Sequence, residues 1–233
     1  MERRLTYALP IREVVSAAIA GSTDRFPVNR IFCVGRNYAD HIREMGFDPE
    51  REPPFFFMKP TDALVSGQNV SVAYPPDTEN FQYEAELVVA IGSSGRDVPV
   101  ERALDHVWGY GVGVDLTRRD RQIEARDRGR PWELGKSFDQ SAPIGPLKPA
   151  SECGHPARGP IWLDVNGVRK QEGDLGQLIW SVPEVVSVLS RSWALNAGDL
   201  IFTGTPAGVG PIVRGDRLTL AAADLPQLSV TIV

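Results

Sequence analysis

Glu84 and Glu86 stand two residues apart at the head of the apolar run Leu87-Val88-Val89-Ala90-Ile91. That run has the composition of a strand buried on both faces. Side chains at i and i+2 of a strand share a face, about 7 Å apart along the chain. Two like charges held there repel each other and lose solvation, so the pair persists most easily around a cation. A third carboxylate comes from Asp115, at the end of Gly109-Tyr110-Gly111-Val112-Gly113-Val114-Asp115. Strand alternation sets Gly111, Gly113 and Asp115 on one face and predicts a hollow beside the acid. Together the three carboxylates can hold one divalent cation with positions open for substrate and water. The competing reading keeps the glutamates on a solvated strand edge and pairs Asp115 with Arg118 or Arg119.

His41 and Glu44 lie three residues apart in Asn37-Tyr38-Ala39-Asp40-His41-Ile42-Arg43-Glu44. On a helix they share a face, so the carboxylate can orient the imidazole and raise its basicity, as a general base for water requires. The alternative is an ordinary pair on an exposed helix. Lys136 follows Gly135 in a segment too apolar for a solvated loop, where an ammonium can donate to a developing oxyanion; a plain surface lysine is the other reading. The three histidines, His41, His106 and His155, are too scattered for a histidine-based metal site, so any ion is held by oxygen, favouring Mg²⁺, Mn²⁺ or Ca²⁺. Gly109–Asp115 does not satisfy G-x-G-x-x-G, and GTPAGVGP lacks the Lys-Ser/Thr of a phosphate loop.

These groups need a scaffold. Val28 to Val34 reads as a strand, Asn37 to Met45 as a short helix with Asn37 as N-cap and Gly46 as stop. Phe55 to Met58 and Asn69 to Ala73 read as strands, Val100 to Val107 as a short helix, and Arg118 to Arg128 as a solvated helix or loop. Asn166-Gly167 joins a hairpin through a type I′ turn. Ser181 and Glu184 form a capping box before a helix, and Leu200 to Thr203, Arg217 to Ala221 and Leu228 to Val233 close the chain as strands. Strands outnumber helices without βαβ alternation, which gives a β-rich α+β domain. Residues 1–27 read as an N-terminal extension with some helical character, and 28–233 as the domain that carries these candidate groups.

The bulk properties agree. The 233 residues suffice for one sizeable core, and a net charge of −5 argues against a nucleic-acid or polybasic membrane surface. No apolar run approaches a membrane span. Arg12 and Glu13 interrupt the N-terminal apolar run, so no signal peptide is expected. Cys33 and Cys153 make neither a disulfide framework nor a zinc cluster, in keeping with a reducing cytoplasm.

In order and content, the segments CVGRNYADHIREMG, FFFMKPTDALV, YEAELVVAIG, GYGVGVDLTRRDRQ, GKSFDQSAPIGP, NGVRKQEG and GDLIFTGTPAGVGP resemble the fumarylacetoacetate hydrolase family. The runs REMGFDPEREPPFFFMKPTDA and GRPWELGKSFD look most like its branch acting on fumarylpyruvate in gentisate-type aromatic degradation. The resemblance implies mixed β-sheets rolled around a central pocket, usually in a homodimer. It implies one Mg²⁺ or Mn²⁺ on Glu84, Glu86 and Asp115, a catalytic dyad of His41 and Glu44 on a lid helix within residues 37–52, and Lys136 at the oxyanion. Arg119, Gln122 and Thr205 match positions that contact substrate oxygens, with Arg36 a further candidate. The implied reaction is hydrolysis of a carbon–carbon bond in a 2,4-diketo acid, fumarylpyruvate giving fumarate and pyruvate. Oxaloacetate decarboxylation and hydrolysis of small acylpyruvates are the alternatives on the same site. A β-rich module with a structural Ca²⁺ is the non-enzymatic one.

Overall fold

Alternation along one strand organises the molecule. In the computed structural model, which describes residues 7–46 and 52–233, every residue of the strand Ala85–Ile91 is buried. Leu87, Val89 and Ile91 enter the larger hydrophobic cluster. Val88 and Ala90 enter a second cluster with Ile31, Cys33, Ile144 and Phe202. Apolar surface on both faces is what places this strand in the middle of a sheet. Its neighbours are Leu200–Phe202 on one side and Val107–Val114 on the other, both antiparallel to it.

The eight-stranded sheet continues outward from Leu200–Phe202 to Ile31–Gly35 and then Phe55–Lys59, and on the other side from Val107–Val114 to Ala142–Ile144 and Leu64–Ser66. It is mixed, since Leu200–Phe202 runs parallel to Ile31–Gly35 and Ala142–Ile144 parallel to Leu64–Ser66. A five-stranded sheet, in the order Val168–Asp174, Pro160–Val165, Arg217–Ala222, Leu228–Ile232 and Asn69–Val72, supplies the other wall of the larger cluster through Leu163, Leu220 and Val230. Asn166 and Gly167, with φ of 52° and 79°, make the hairpin turn between its first two strands as their sequence predicts. The Ser181 amide donates to the Glu184 carboxylate at 2.9 Å and opens the helix Val182–Ser192. No helix among the described residues is long and apolar enough to cross a membrane.

Four expectations are corrected. The described residues before Pro27 are not helical: Ser16–Ala18 and Arg25–Pro27 pair as antiparallel strands, with Ala17 and Phe26 buried in the second cluster. A short apolar stretch fits either period, and the tertiary contact decides. The helix α1 spans Ala39–Glu44 with Tyr38 as its cap residue, and Asn37 instead donates its side-chain amide to the carbonyls of Trp180 and Thr203 at 2.9 and 2.8 Å. The charge-rich segment is the helix α2, Arg119–Asp127, but it is not solvated all round: Arg119 and Gln122 are buried because their polar groups meet protein partners. The hollow expected beside Gly111 and Gly113 is filled with protein. A Cβ at Gly113 would stand 2.7 Å from the Phe202 ring and 2.9 Å from Val88, and one at Gly111 would stand 2.9 Å from Leu147. Residues 47–51 of the expected lid segment lie outside the described residues.

Candidate active site

The carboxylates meet at one end of the central strand pair. Glu86 lies within Ala85–Ile91 opposite Gly113, Glu84 immediately precedes that strand, and Asp115 immediately follows Val107–Val114. The Asp115 amide donates to the Glu84 carbonyl at 2.8 Å, continuing the ladder so that the three acids stand together. All are buried, and one oxygen from each lies within 4.8 Å of the others.

Three cations stand around them. Lys136, at the end of the short helix α3 (Glu133–Lys136), donates to Glu84 Oε2 at 2.8 Å, Asp115 Oδ2 at 2.7 Å and the Thr117 hydroxyl at 2.7 Å. Arg119 donates to Glu84 Oε1, to Gln122 Oε1 and, at 2.8 Å, to Gln82 Oε1. Lys59 places its ammonium 2.8 Å from Asp115 Oδ1, while its directed hydrogen bonds go to the carbonyls of Leu116 and Lys136 at 3.1 and 2.5 Å. Asp115 Oδ1 is therefore close to a charge but accepts no directed hydrogen bond.

Electrostatics separate the acids. Burial alone would raise Glu84, but Lys136 and Arg119 outweigh it and hold the carboxyl well below its ordinary range. Burial raises Glu86 well above that range, and the nearby Asp115 and Glu84 raise it further. Lys136 is favoured as an ammonium: burial lowers it, and the Asp115 and Glu84 charges more than compensate. A carboxyl that cannot comfortably ionise, beside an acceptor oxygen without a directed donor, is what a divalent cation of oxygen-only preference would relieve. Glu84, Glu86 and Asp115 fit such an ion.

The loop after Leu200–Phe202 forms the next wall. Gly204, at φ +101°, donates its amide to Glu86 Oε2 at 2.7 Å, and a Cβ there would stand 2.7 Å from Asn37 Cβ. Gln171 pins the loop to the carboxylate strand, accepting from the Ala85 amide at 2.9 Å and donating to the Thr205 hydroxyl and Pro206 carbonyl at 2.8 Å each. On α1, His41 Nδ1 lies 3.2 Å from Glu44 Oε2. Burial raises Glu44, but the hydrogen bonds from His41 and the Gly208 amide prevail and leave its carboxyl below the ordinary value. With Nδ1 donating to Glu44, Nε2 is the ring nitrogen able to take a proton.

One cavity is lined by the three carboxylates together with His41, Lys136 and Thr205, and also by Arg36, Arg119 and Gln122. Glu44 stands behind His41 rather than on the cavity wall. The solvated readings of the glutamates and of Lys136 are excluded by their burial. Sequence reasoning missed Lys59 and Gln171. Lys59 ends the run Phe55-Phe56-Phe57-Met58, and a lone charge closing four apolar residues is a signal of a buried ion pair. Gln171 sits between Lys170 and Glu172 in an exposed hairpin and carries no such signal.

The sequence matches the fumarylacetoacetate (FAA) hydrolase C-terminal family over residues 30–233. A crystal structure of fumarylpyruvate hydrolase from Pseudomonas aeruginosa in complex with Mn²⁺ and pyruvate superposes with a TM-score of 0.95 at 56% identity, covering 98% of this chain and 99% of that one. A fumarylpyruvate hydrolase from Ralstonia sp is 41% identical over 79% of this chain and 95% of its own length. The mitochondrial oxaloacetate tautomerase FAHD1 of Homo sapiens is 42% identical over 81% of this chain and 84% of its own. With the family's sequence pattern spanning nearly all of the chain from residue 30 onward, this protein belongs to the fumarylacetoacetate hydrolase family.

Proposed function

We propose that the protein hydrolyses the carbon–carbon bond between C3 and C4 of fumarylpyruvate, giving fumarate and pyruvate. The observation that carries this reading is the convergence of the Glu84–Glu86–Asp115 cluster and the His41–Glu44 pair on one cavity. Mn²⁺ or Mg²⁺ on those carboxylates would supply Lewis-acid stabilisation of negative charge at the 2-oxo end of the substrate, worth several kcal/mol. His41, held by Glu44, takes a proton from water at Nε2 as the water oxygen bonds to C4. The C3–C4 bond then breaks, its electrons pass to C3, and the proton is returned there, so that water and substrate account for both products. General-base assistance of this kind is worth ~10² to 10⁴ in rate.

Lys136 has a different emphasis from the one the resemblance implies. Three hydrogen bonds bind its ammonium to Glu84, Asp115 and Thr117, so it sets the carboxylate geometry, and it reaches an oxyanion only by releasing one of them. Arg119, Gln122, Thr205 and Arg36 offer donors to the substrate's carboxylate and carbonyl oxygens, with the first two already bonded to each other. The reading includes a homodimer, which light scattering tests.

A tautomerase reading has its own support, since the human oxaloacetate tautomerase is as similar in sequence as the Ralstonia hydrolase. Keto–enol interconversion needs proton transfer at C3 and no water attack. Supplying the purified protein with Mn²⁺ and, separately, fumarylpyruvate, acetylpyruvate and oxaloacetate decides between them. Loss of enol absorbance with stoichiometric pyruvate from fumarylpyruvate is expected. No pyruvate from either diketo acid, together with accelerated oxaloacetate interconversion, would replace the hydrolase reading by the tautomerase one.

A further inference from the structure

One face of α2 lines the cavity. Arg119, Gln122, Ile123 and Arg126 stand at i, i+3, i+4 and i+7 and all line it. Seven residues of helix advance about 10 Å. Arg119 marks the inner end, bonded to Glu84 and almost wholly buried. Arg126 marks the outer end, its side chain 32% exposed and tied to Asp127 through Nε at 2.9 Å and Nη2 at 2.8 Å. The lining also includes the apolar side chains of Ile123 on α2, Ile42 and Met45, and Phe57 and Trp132. The cavity therefore has a guanidinium at each end of this helix face, the inner one beside the carboxylate cluster, with several apolar side chains in the lining besides.

From this pattern we infer that Arg126 recognises the distal carboxylate of the substrate and that α2 acts as the ruler of acyl-chain length. The inference rests on the diketo-acid reading above and names the part of the substrate that the reading leaves unassigned. Six bonds separate the two carboxyl carbons of a seven-carbon 2,4-diketo diacid, about 7 Å when extended. That length is comparable with the ~10 Å of helix between Arg126 and Arg119, whose guanidinium stands beside the carboxylate cluster. The unsaturated segment of the diacid then lies against Ile123, Met45 and Trp132. A guanidinium fixed by a neighbouring carboxylate remains a planar multidentate donor for a second carboxylate, and Arg is better suited to this than Lys. Acetylpyruvate and oxaloacetate have no group that reaches Arg126, so the residue selects long diacids over short acyl groups. Arg36 also lines the cavity, and its guanidinium lies 5.8 Å from the Phe55 ring. It is the competing candidate for the same carboxylate.

The test compares the parent protein with Arg126→Met, Arg126→Lys and Arg36→Met. In Arg126→Met, the ratio of kcat/KM for fumarylpyruvate to that for acetylpyruvate should fall about tenfold or more, mainly through KM. Arg126→Lys should recover part of the ratio. Fumarate affinity, measured by calorimetry, should fall in Arg126→Met and recover in Arg126→Lys; it reports on the distal site even if the parent turns over neither diketo acid, the outcome that defeats the hydrolase reading alone. An unchanged ratio with unchanged fumarate affinity, an equal loss on both substrates, or a change of ratio confined to Arg36→Met would overturn the assignment to Arg126.

Discussion

The Gly208 amide stands 3.0 and 3.2 Å from the two carboxylate oxygens of Glu44. Glu44 is thereby tied to the same loop whose Gly204 amide holds Glu86. The proposed base and the carboxylate cluster, which reside on different elements, are thus referenced to one short segment of backbone.

Replacing His41 by Ala should reduce diketo-acid hydrolysis by ~10² or more, the usual worth of a positioned general base. Glu44→Gln should reduce it less, because a hydrogen-bond partner for Nδ1 remains while the stabilising charge is lost. Steady-state kinetics with fumarylpyruvate checks both. Hydrolysis within a few-fold of the parent in His41→Ala would remove the water-activating role.

Binding of Mn²⁺ should release protons. Glu86 is raised well above its ordinary range, so the ion competes with a proton for that carboxylate. Affinity should climb with pH and level off once Glu86 is ionised, with a slope of at most about one decade per pH unit. Without metal the sign for stability is opposite: the folded state keeps a proton that the unfolded chain gives up near pH 4.3, so stability falls as pH rises from there through the raised value. Calorimetry in buffers of differing ionisation enthalpy, with thermal unfolding across pH, measures both effects. A binding heat independent of buffer would contradict the proton exchange.

Lys59→Met should destabilise the protein by about 3 kcal/mol, since it leaves Asp115 without its nearest cation on that side. Saturating Mn²⁺ should restore part of the loss, because a dication can neutralise the same carboxylate. Melting curves with and without the ion test this, and an equal deficit in both would show that Lys59 serves packing alone.

Gly204→Ala should cost about 1–3 kcal/mol, because the position has φ +101° and the added methyl would meet Asn37 Cβ at 2.7 Å. The displaced amide would also loosen Glu86, so Mn²⁺ affinity should fall along with the melting temperature. A variant as stable as the parent would show that the loop adapts more freely than its contacts imply.

The buried strand Ala85–Ile91, the Asn166-Gly167 hairpin and the capped helix Val182–Ser192 were legible because local composition and long-range packing ask for the same conformation. The carboxylate cluster was legible for the opposite reason: charges placed against an apolar run demand a partner. The hairpin before Pro27 was not, since three-residue strands leave no period to read. Nor was the space beside Gly113, because a glycine signals close approach without saying whether ligand or protein makes it. Here Phe202, nearly ninety residues downstream, does so. Gln171 was hidden because its partners, Ala85, Thr205 and Pro206, come together only in the folded chain.

The two-sided burial of Ala85–Ile91 also divides the site into parts with different freedom to change. A strand locked between two cores tolerates little drift, so the carboxylate floor is costly to alter. Ile42 on α1 and Ile123 on α2 line the cavity but belong to neither core cluster. Side chains at such positions can change singly, and with them the shape of the cavity wall, while the floor stays as it is. The Ralstonia hydrolase and the human tautomerase, at 41% and 42% identity, are the kind of pair such a division of constraint would leave behind.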